Sequence, residues 1–216
     1  MKQVTRIASH YLNWPNRISL MRLMLVAPFV VLLTHQNDPG RQPLFRLMAL
    51  GLFGLMAISD WLDGYLARHK GMVTRLGAFL DPIADKVLII VAAVQLSLPH
   101  SAVPGLELPD WVVVAIIGKD LWVVIGFIVV TLITGKAHVR PTFFGKMCTT
   151  VQLIMVAIML ASPELDRLAA NLGRYAAMAL WGVVCLVSVL AVISYTRLGL
   201  AFIGRESSGG EPPKEM

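Results

Sequence analysis

The sequence predicts an all-α integral membrane protein with six transmembrane helices. Three observations carry this. Of the 216 residues, 56% are hydrophobic and only 15% are charged, whereas soluble domains carry about a quarter charged residues. The apolar residues fall in six runs that approach or exceed the roughly 20 residues needed to cross a bilayer as a helix. Runs such as "WVVVAIIG" and "LWGVVCLVSVLAVISY" also lack a polar face, and only one or two helices of a soluble domain can be apolar all round.

In chain order the runs place spans at 18–35, 44–66, 78–98, 110–134, 144–162 and 175–196. Before the first lies "MKQVTRIASHYLNWPN", too polar for a signal-peptide core. Residues 1–16 read either as a short interfacial segment, with Ile7, Tyr11, Leu12 and Trp14 towards lipid, or as a frayed terminus. "HQNDPGRQP" and "PHSAVPGLELP" are turn-rich connections, and "SPELDRLAANLG" is read as the connection after the fifth span. "GKAHVRPTFFG" joins the fourth and fifth spans, with a helix-stopping Gly at its start and a Pro before the next helix. Cys148 and Cys185 lie in predicted spans and read as small packing residues. The membrane domain is therefore 1–204, and 205–216, rich in Gly, Pro and Ser, reads as a disordered tail.

The net charge is +6. Its location argues against nucleic acid as a partner. With a cytoplasmic N-terminus, the inside segments hold Lys2, Arg6, Arg17, Arg68, Lys70, Arg75, Lys136, Arg140, Lys146, Arg197, Arg205 and Lys214. The outside segments hold only Arg41, Arg46, Arg167 and Arg174. Twelve against four is the positive-inside bias. The basic excess thus reads as topology and as contact with anionic headgroups of the bilayer.

One stretch breaks the apolar pattern. "SDWLDGYLARHKGMVTRLGAFLDPIADK" sets Asp60, Asp63, Asp81 and Asp85 beside strongly apolar sequence. Acids at membrane depth are costly, so their default reading is functional. Asp60 and Asp63 are three apart and Asp81 and Asp85 four apart, so each pair shares a helix face. The turn "HKGMVTR" brings the two pairs together. Four converging carboxylates call for a cation, and an all-oxygen set suits Mg²⁺, Mn²⁺ or Ca²⁺. No His or Cys joins the cluster, which disfavours zinc. Gly64 and Ala67 leave room for a flat group, Arg68 suits a phosphate, Thr74 offers a hydroxyl and Gly77 opens the next helix. Singly, Asp60 and Asp81 would serve as helix caps and Arg68 as an interfacial anchor. Together the residues look like a nucleoside diphosphate site.

The stretch matches D-x2-D-G-x2-A-R-x8-G-x3-D-x3-D at every fixed position: Asp60, Asp63, Gly64, Ala67, Arg68, Gly77, Asp81 and Asp85. This resembles the signature of the CDP-alcohol phosphatidyltransferases. "NWPNRISLMR" is similar to the family's P-N-x-(L/I)-(S/T)-x-x-R start. The resemblance implies the family's six-helix fold, a homodimer, and transfer of a phosphatidyl group from CDP-diacylglycerol to a hydroxyl with release of CMP. It implies that Asp60, Asp63, Asp81 and Asp85 hold two divalent ions, Mg²⁺ or Mn²⁺, and that Asp85 is also the catalytic base. It implies donor contacts from Asn16, Ser19, Arg22, Gly64, Ala67, Arg68, Thr74 and Gly77. No targeting segment is visible in the sequence, so a bacterial cytoplasmic membrane is expected, with the site facing the cytoplasm and a mitochondrial inner membrane as the alternative.

The acceptor is a glycerol-type lipid or alcohol, and two subfamilies are in view. "LDPIADK", including Lys86, resembles both phosphatidylglycerophosphate synthases and eukaryotic-type cardiolipin synthases. The former carry R-E in the fourth helix and a second Arg two turns on. Here Lys119 and Asp120 match the first pair loosely, and Gly126, Phe127 and Ile128 stand where the second Arg would be. "VRPTFFGKMCTTVQ" resembles the cardiolipin-synthase segment through Arg140, Pro141, Thr142, Lys146, Thr149 and Gln152. The expectation is cardiolipin synthesis from phosphatidylglycerol, with glycerol 3-phosphate as the alternative acceptor. Lys86, Lys119, Arg140, Lys146, Thr149 and Gln152 are the candidate acceptor residues. Lys146, Thr149 and Gln152 read equally well as one polar helix face bonded to a neighbouring helix. An ion transporter would also place acids in spans, but it leaves Gly64, Ala67 and Arg68 unexplained.

Overall fold

A computed structural model describes the backbone at 14–40, 42–70, 75–134 and 142–207, and the side chains at 19–40, 42–60, 83–133 and 142–204. Six helices account for nearly all of it: α1 Trp14–Thr34, α2 Gln42–Lys70, α3 Arg75–Ser97, α4 Asp110–Thr134, α5 Phe143–Leu168 and α6 Leu172–Ser207. Among the described residues the only extended pairing is an isolated bridge, Val103 with Leu106. Four helical stretches, Gln42–Asp60, Asp110–Ile133, Phe143–Leu168 and Leu172–Gly204, are long and apolar enough to cross a membrane, and Ser19–Thr34 is a shorter apolar helix. The protein is an all-α, multi-pass membrane protein.

The helices are where hydropathy puts them, but several run further. α1 starts at Trp14 with Pro15 in its first turn, where a missing N–H costs nothing. α4 has the expected bounds, with Asp110 against the helix dipole after Pro109. α5 does not stop near 162. It carries Pro163 inside and continues to Leu168, so most of "SPELDRLAANLG" is helix rather than connection. α6 has 36 residues, far more than a bilayer needs, and takes in Arg205–Ser207. Residues 1–13 and 208–216, with the interfacial and tail readings that fall there, lie outside the described residues.

The chain divides into two compact units. The first holds α1, α2, α3, the 98–109 connection and residues 156–177. Here α1 packs on both α2 and α3. Phe29 of α1 lies against Phe53 of α2, ring centres 5.8 Å apart. Leu33, Met56, Leu88, Leu96 and Met159 fill the same core, while Ala49, Ala92 and Ala93, fully buried, let helices approach closely. Ser101, Ala102, Val103, Leu106 and Leu108 of the 98–109 connection are buried. Gln36 Nε2 donates to the Ser101 carbonyl, and Asn37 Nδ2 donates to the carbonyls of His100 (3.1 Å) and Ala102 (2.8 Å). Its turn at Gly105 has φ +75°, a conformation that glycine adopts without strain. Arg46 of α2, buried, pairs with Glu164 of α5. Asp166 Oδ1 accepts from the Gly173 N–H at 2.7 Å and caps the start of α6.

The second unit holds 110–155 and 178–216, with α4 and parts of α5 and α6. Its core is Val112, Ile116, Cys148, Met155, Val184, Val187 and Ala191. Cys148 Sγ and Ser188 Oγ are 3.4 Å apart, and both cysteines are free, as packing residues should be. Trp122 Nε1 donates to Thr196 Oγ1 at 3.1 Å, linking α4 to α6. A cavity of about 320 Å³ beside this bond is lined by Phe127, Val130, Tyr195 and Gly199, among others. Only 17% of the α4 apolar stretch is buried inside the protein, so the rest of it needs lipid.

Candidate active site

Three helices of the first unit each bring one ionic group to a common point. Arg22 of α1 is 2% exposed. Its Nη1 lies 2.7 Å from Asp60 Oδ1 of α2, and the same nitrogen donates to Asp85 Oδ1 of α3. The two aspartates belong to different pairs of the motif, so the expected convergence of α2 and α3 carboxylates is met for Asp60 and Asp85. Both are partly exposed, at 36% and 28%, and therefore open to ligands. Ser19, buried, is three residues before Arg22 and so on the same face of α1. Lys86 follows Asp85 and is half-buried.

α2 reaches Lys70 and α3 starts at Arg75, so both acid pairs lie within helix. Asp63, Gly64, Ala67, Arg68, Gly77 and Asp81 have helical backbone, as has Asn16 in the first turn of α1. The side chains of these seven, and all of Thr74 and Arg140, lie outside the described residues.

The donor chemistry fits a hard divalent cation. Carboxylate oxygens from two helices already converge on one cationic nitrogen, and oxygen-only sets suit such ions. Among the described residues no group of three or more His, Cys, Asp or Glu could hold a metal; Asp60 and Asp85 are the half of the tetrad whose side chains are described.

The acceptor candidates α4 and α5 carry are in the second unit. Lys119 is 7% exposed, and its Nζ lies 3.1 Å from Asp120 Oδ1. Thr149 Oγ1 donates to the Gly145 carbonyl of its own helix at 3.3 Å. Gln152 is 1% exposed, and its Nε2 has no hydrogen-bond partner among the described residues. Lys146 is exposed. For Thr149 the bond runs along α5 rather than to a neighbouring helix, so the reading of one interhelical polar face fails there.

Arg22, expected from the sequence beside the donor lipid, pairs with both acid-bearing helices, a contact that the motif spacing does not encode. The available signal was a lone arginine inside an apolar run, which at membrane depth needs an anionic partner.

The family model for CDP-alcohol phosphatidyltransferases matches residues 12–192. The chain is 35% identical over 155 residues to the CDP-diacylglycerol–glycerol-3-phosphate 3-phosphatidyltransferase of Bacillus subtilis (strain 168), covering 68% of this chain and 76% of that one. It is 33% identical over 193 residues to a protein of Mycobacterium tuberculosis (strain CDC 1551 / Oshkosh) named "Probable phosphatidylglycerophosphate synthase", covering 89% and 84%. A CDP-diacylglycerol–glycerol-3-phosphate 3-phosphatidyltransferase of Pseudomonas fluorescens is 33% identical over 186 residues, covering 83% and 87%.

Proposed function

The chain belongs to the CDP-alcohol phosphatidyltransferase family, and from that premise we propose that it transfers the phosphatidyl group of CDP-diacylglycerol to glycerol 3-phosphate. It is an enzyme of phospholipid synthesis, not a transporter. The observation that carries the acceptor is the similarity, over most of their length, to relatives named for glycerol 3-phosphate or phosphatidylglycerophosphate. They weigh for the alternative reading of the sequence over cardiolipin synthesis. The cardiolipin reading rested on Gly126–Ile128 standing in place of a second arginine and on the Arg140–Pro141–Thr142 segment. Gly126 and Phe127 line an apolar cavity, and one absent clamp decides little while Lys119, Arg140 and Lys146 remain as cations.

In the proposed reaction the acceptor hydroxyl oxygen forms a bond to the phosphorus that carries diacylglycerol. The bond from that phosphorus to the bridging oxygen breaks, its electron pair leaves with CMP, and the hydroxyl proton passes to Asp85. Asp60, Asp63, Asp81 and Asp85 would hold two divalent ions, Mg²⁺ or Mn²⁺, which supply charge neutralisation for the diphosphate and the leaving oxygen. Asn16, Ser19, Arg22, Gly64, Ala67, Arg68, Thr74 and Gly77 would orient the CDP-lipid. Lys86, Lys119, Arg140, Lys146, Thr149 and Gln152 would serve the acceptor. We place the protein in a bacterial cytoplasmic membrane as a homodimer, its aspartates on the cytoplasmic side. The lipid tails then stay in the bilayer while the CDP head reaches water.

The test offers purified protein CDP-diacylglycerol and Mg²⁺ with glycerol 3-phosphate or phosphatidylglycerol, and follows CMP and the lipid product. Phosphatidylglycerophosphate is expected, and chelation should abolish it. Cardiolipin as the dominant product would overturn the acceptor and leave the aspartate chemistry standing.

A further inference from the structure

Arg22 stands where the proposed metal ions need negative oxygen. It is 2% exposed, and one of its nitrogens contacts a carboxylate oxygen of Asp60 and one of Asp85. Those acids come from α2 and α3, and α1, which carries Arg22, packs on both helices. A guanidinium does not lose its charge in a protein. Two carboxylates brought together from separate helices repel each other unless a cation stands between them, and here that cation is part of the chain. From this we infer that Arg22 is a resident counter-cation. It holds Asp60 and Asp85 together in the metal-free protein, competes with divalent ions for the same two carboxylates, and so sets metal affinity. The inference rests on the proposed reading of Asp60 and Asp85 as metal ligands.

Without metal, Arg22 offsets the repulsion between α2 and α3 at the acid pairs. With metal, the same charge works against the ligand, because a fixed positive group and a divalent ion share oxygens. Such coupling is reciprocal: what Arg22 gains from the acids, an arriving ion must overcome. The contacts with Asp60 and Asp85 both come from Nη1 of a rigid, planar guanidinium, whereas a lysine ammonium is a point charge on a flexible stem. A residue that only gripped a donor phosphate would leave metal binding in the absence of donor unchanged.

The experiment uses the full chain in detergent without CDP-lipid. It measures Mn²⁺ affinity by calorimetry, and Tm with chelator or saturating Mn²⁺. Arg22→Gln is expected to bind Mn²⁺ about tenfold tighter or more, since a like charge beside the ion has gone. Its Tm in chelator should drop below wild type, and Mn²⁺ should raise it by more than it raises wild type. Arg22→Lys keeps a charge but carries it on a more flexible stem, so its affinity should fall between the two. Equal or weaker Mn²⁺ binding by Arg22→Gln overturns the inference. If that variant cannot be recovered, Arg22→Lys decides, and affinity at or below wild type overturns it. A wild type that binds no Mn²⁺ overturns the four-aspartate reading and this inference with it.

Discussion

Arg22 and Asp85 are 63 residues apart in sequence and are joined by a hydrogen bond from Nη1 of a buried guanidinium to Oδ1 of a partly exposed carboxylate. The bond aims the aspartate proposed as base, and it explains why that carboxylate is tolerated beside a buried core.

Asp85→Asn should lower CMP release by at least 10²-fold, within the range that general-base groups contribute. Asparagine keeps the shape and the hydrogen-bond acceptor towards Arg22, so the fold should survive with a near-native Tm. Retention of a tenth of wild-type turnover would remove Asp85 from the base role.

Lys119→Gln should raise KM for glycerol 3-phosphate and leave KM for CDP-diacylglycerol alone. Lys119 is nearly fully buried beside Asp120, an expensive place for a cation that does no work. Losing a charge-assisted bond of about 1.5–3 kcal/mol corresponds to roughly tenfold to a hundredfold in affinity. Equal rises in both constants would show a general structural loss instead.

Arg46→Met should destabilise the first unit by about 1–3 kcal/mol. It leaves Glu164, only partly exposed, without its cation. Adding Glu164→Leu should recover much of the loss, because removing both partners of a buried pair is often neutral. Thermal unfolding of the two variants in one detergent checks this. A double variant less stable than the single one would show that the pair is worth more than its desolvation costs.

Gly173→Ala should be worse than Gly145→Ala. A Cβ at Gly173 would stand 2.5 Å from the Ser162 carbonyl oxygen and 2.6 Å from its Cα, and backbone inside a helix cannot step aside. At Gly145 the nearest atom is the Tyr195 hydroxyl, also at 2.5 Å, at the far end of a side chain that borders a cavity. Overpacking typically costs about 1–3 kcal/mol, so Gly173→Ala should lie at the upper end or beyond. Tyr195→Leu should relieve Gly145→Ala. Comparable Tm losses for both glycine variants would refute the distinction.

The sequence by itself determined the helical class, the number of helices and the family. Each rests on local facts: the length of apolar runs, the three- and four-residue spacing of the aspartates, and fixed intervals between Asp60 and Asp85. α4 was legible to the residue because an apolar run ends where its helix ends. α5 and α6 were not. Hydropathy registers the membrane, whereas a helix continues as long as its backbone bonds are met, and here the pairing of Glu164 with Arg46 and the Asp166 cap carry it through polar residues. The pairing of Arg22 with Asp60 and Asp85 and the burial of Ser101, Ala102, Val103, Leu106 and Leu108 were decided only by tertiary structure. Such contacts join residues far apart in the chain, and which of them form depends on how α1 packs against α2 and α3. No periodicity within one segment encodes that choice.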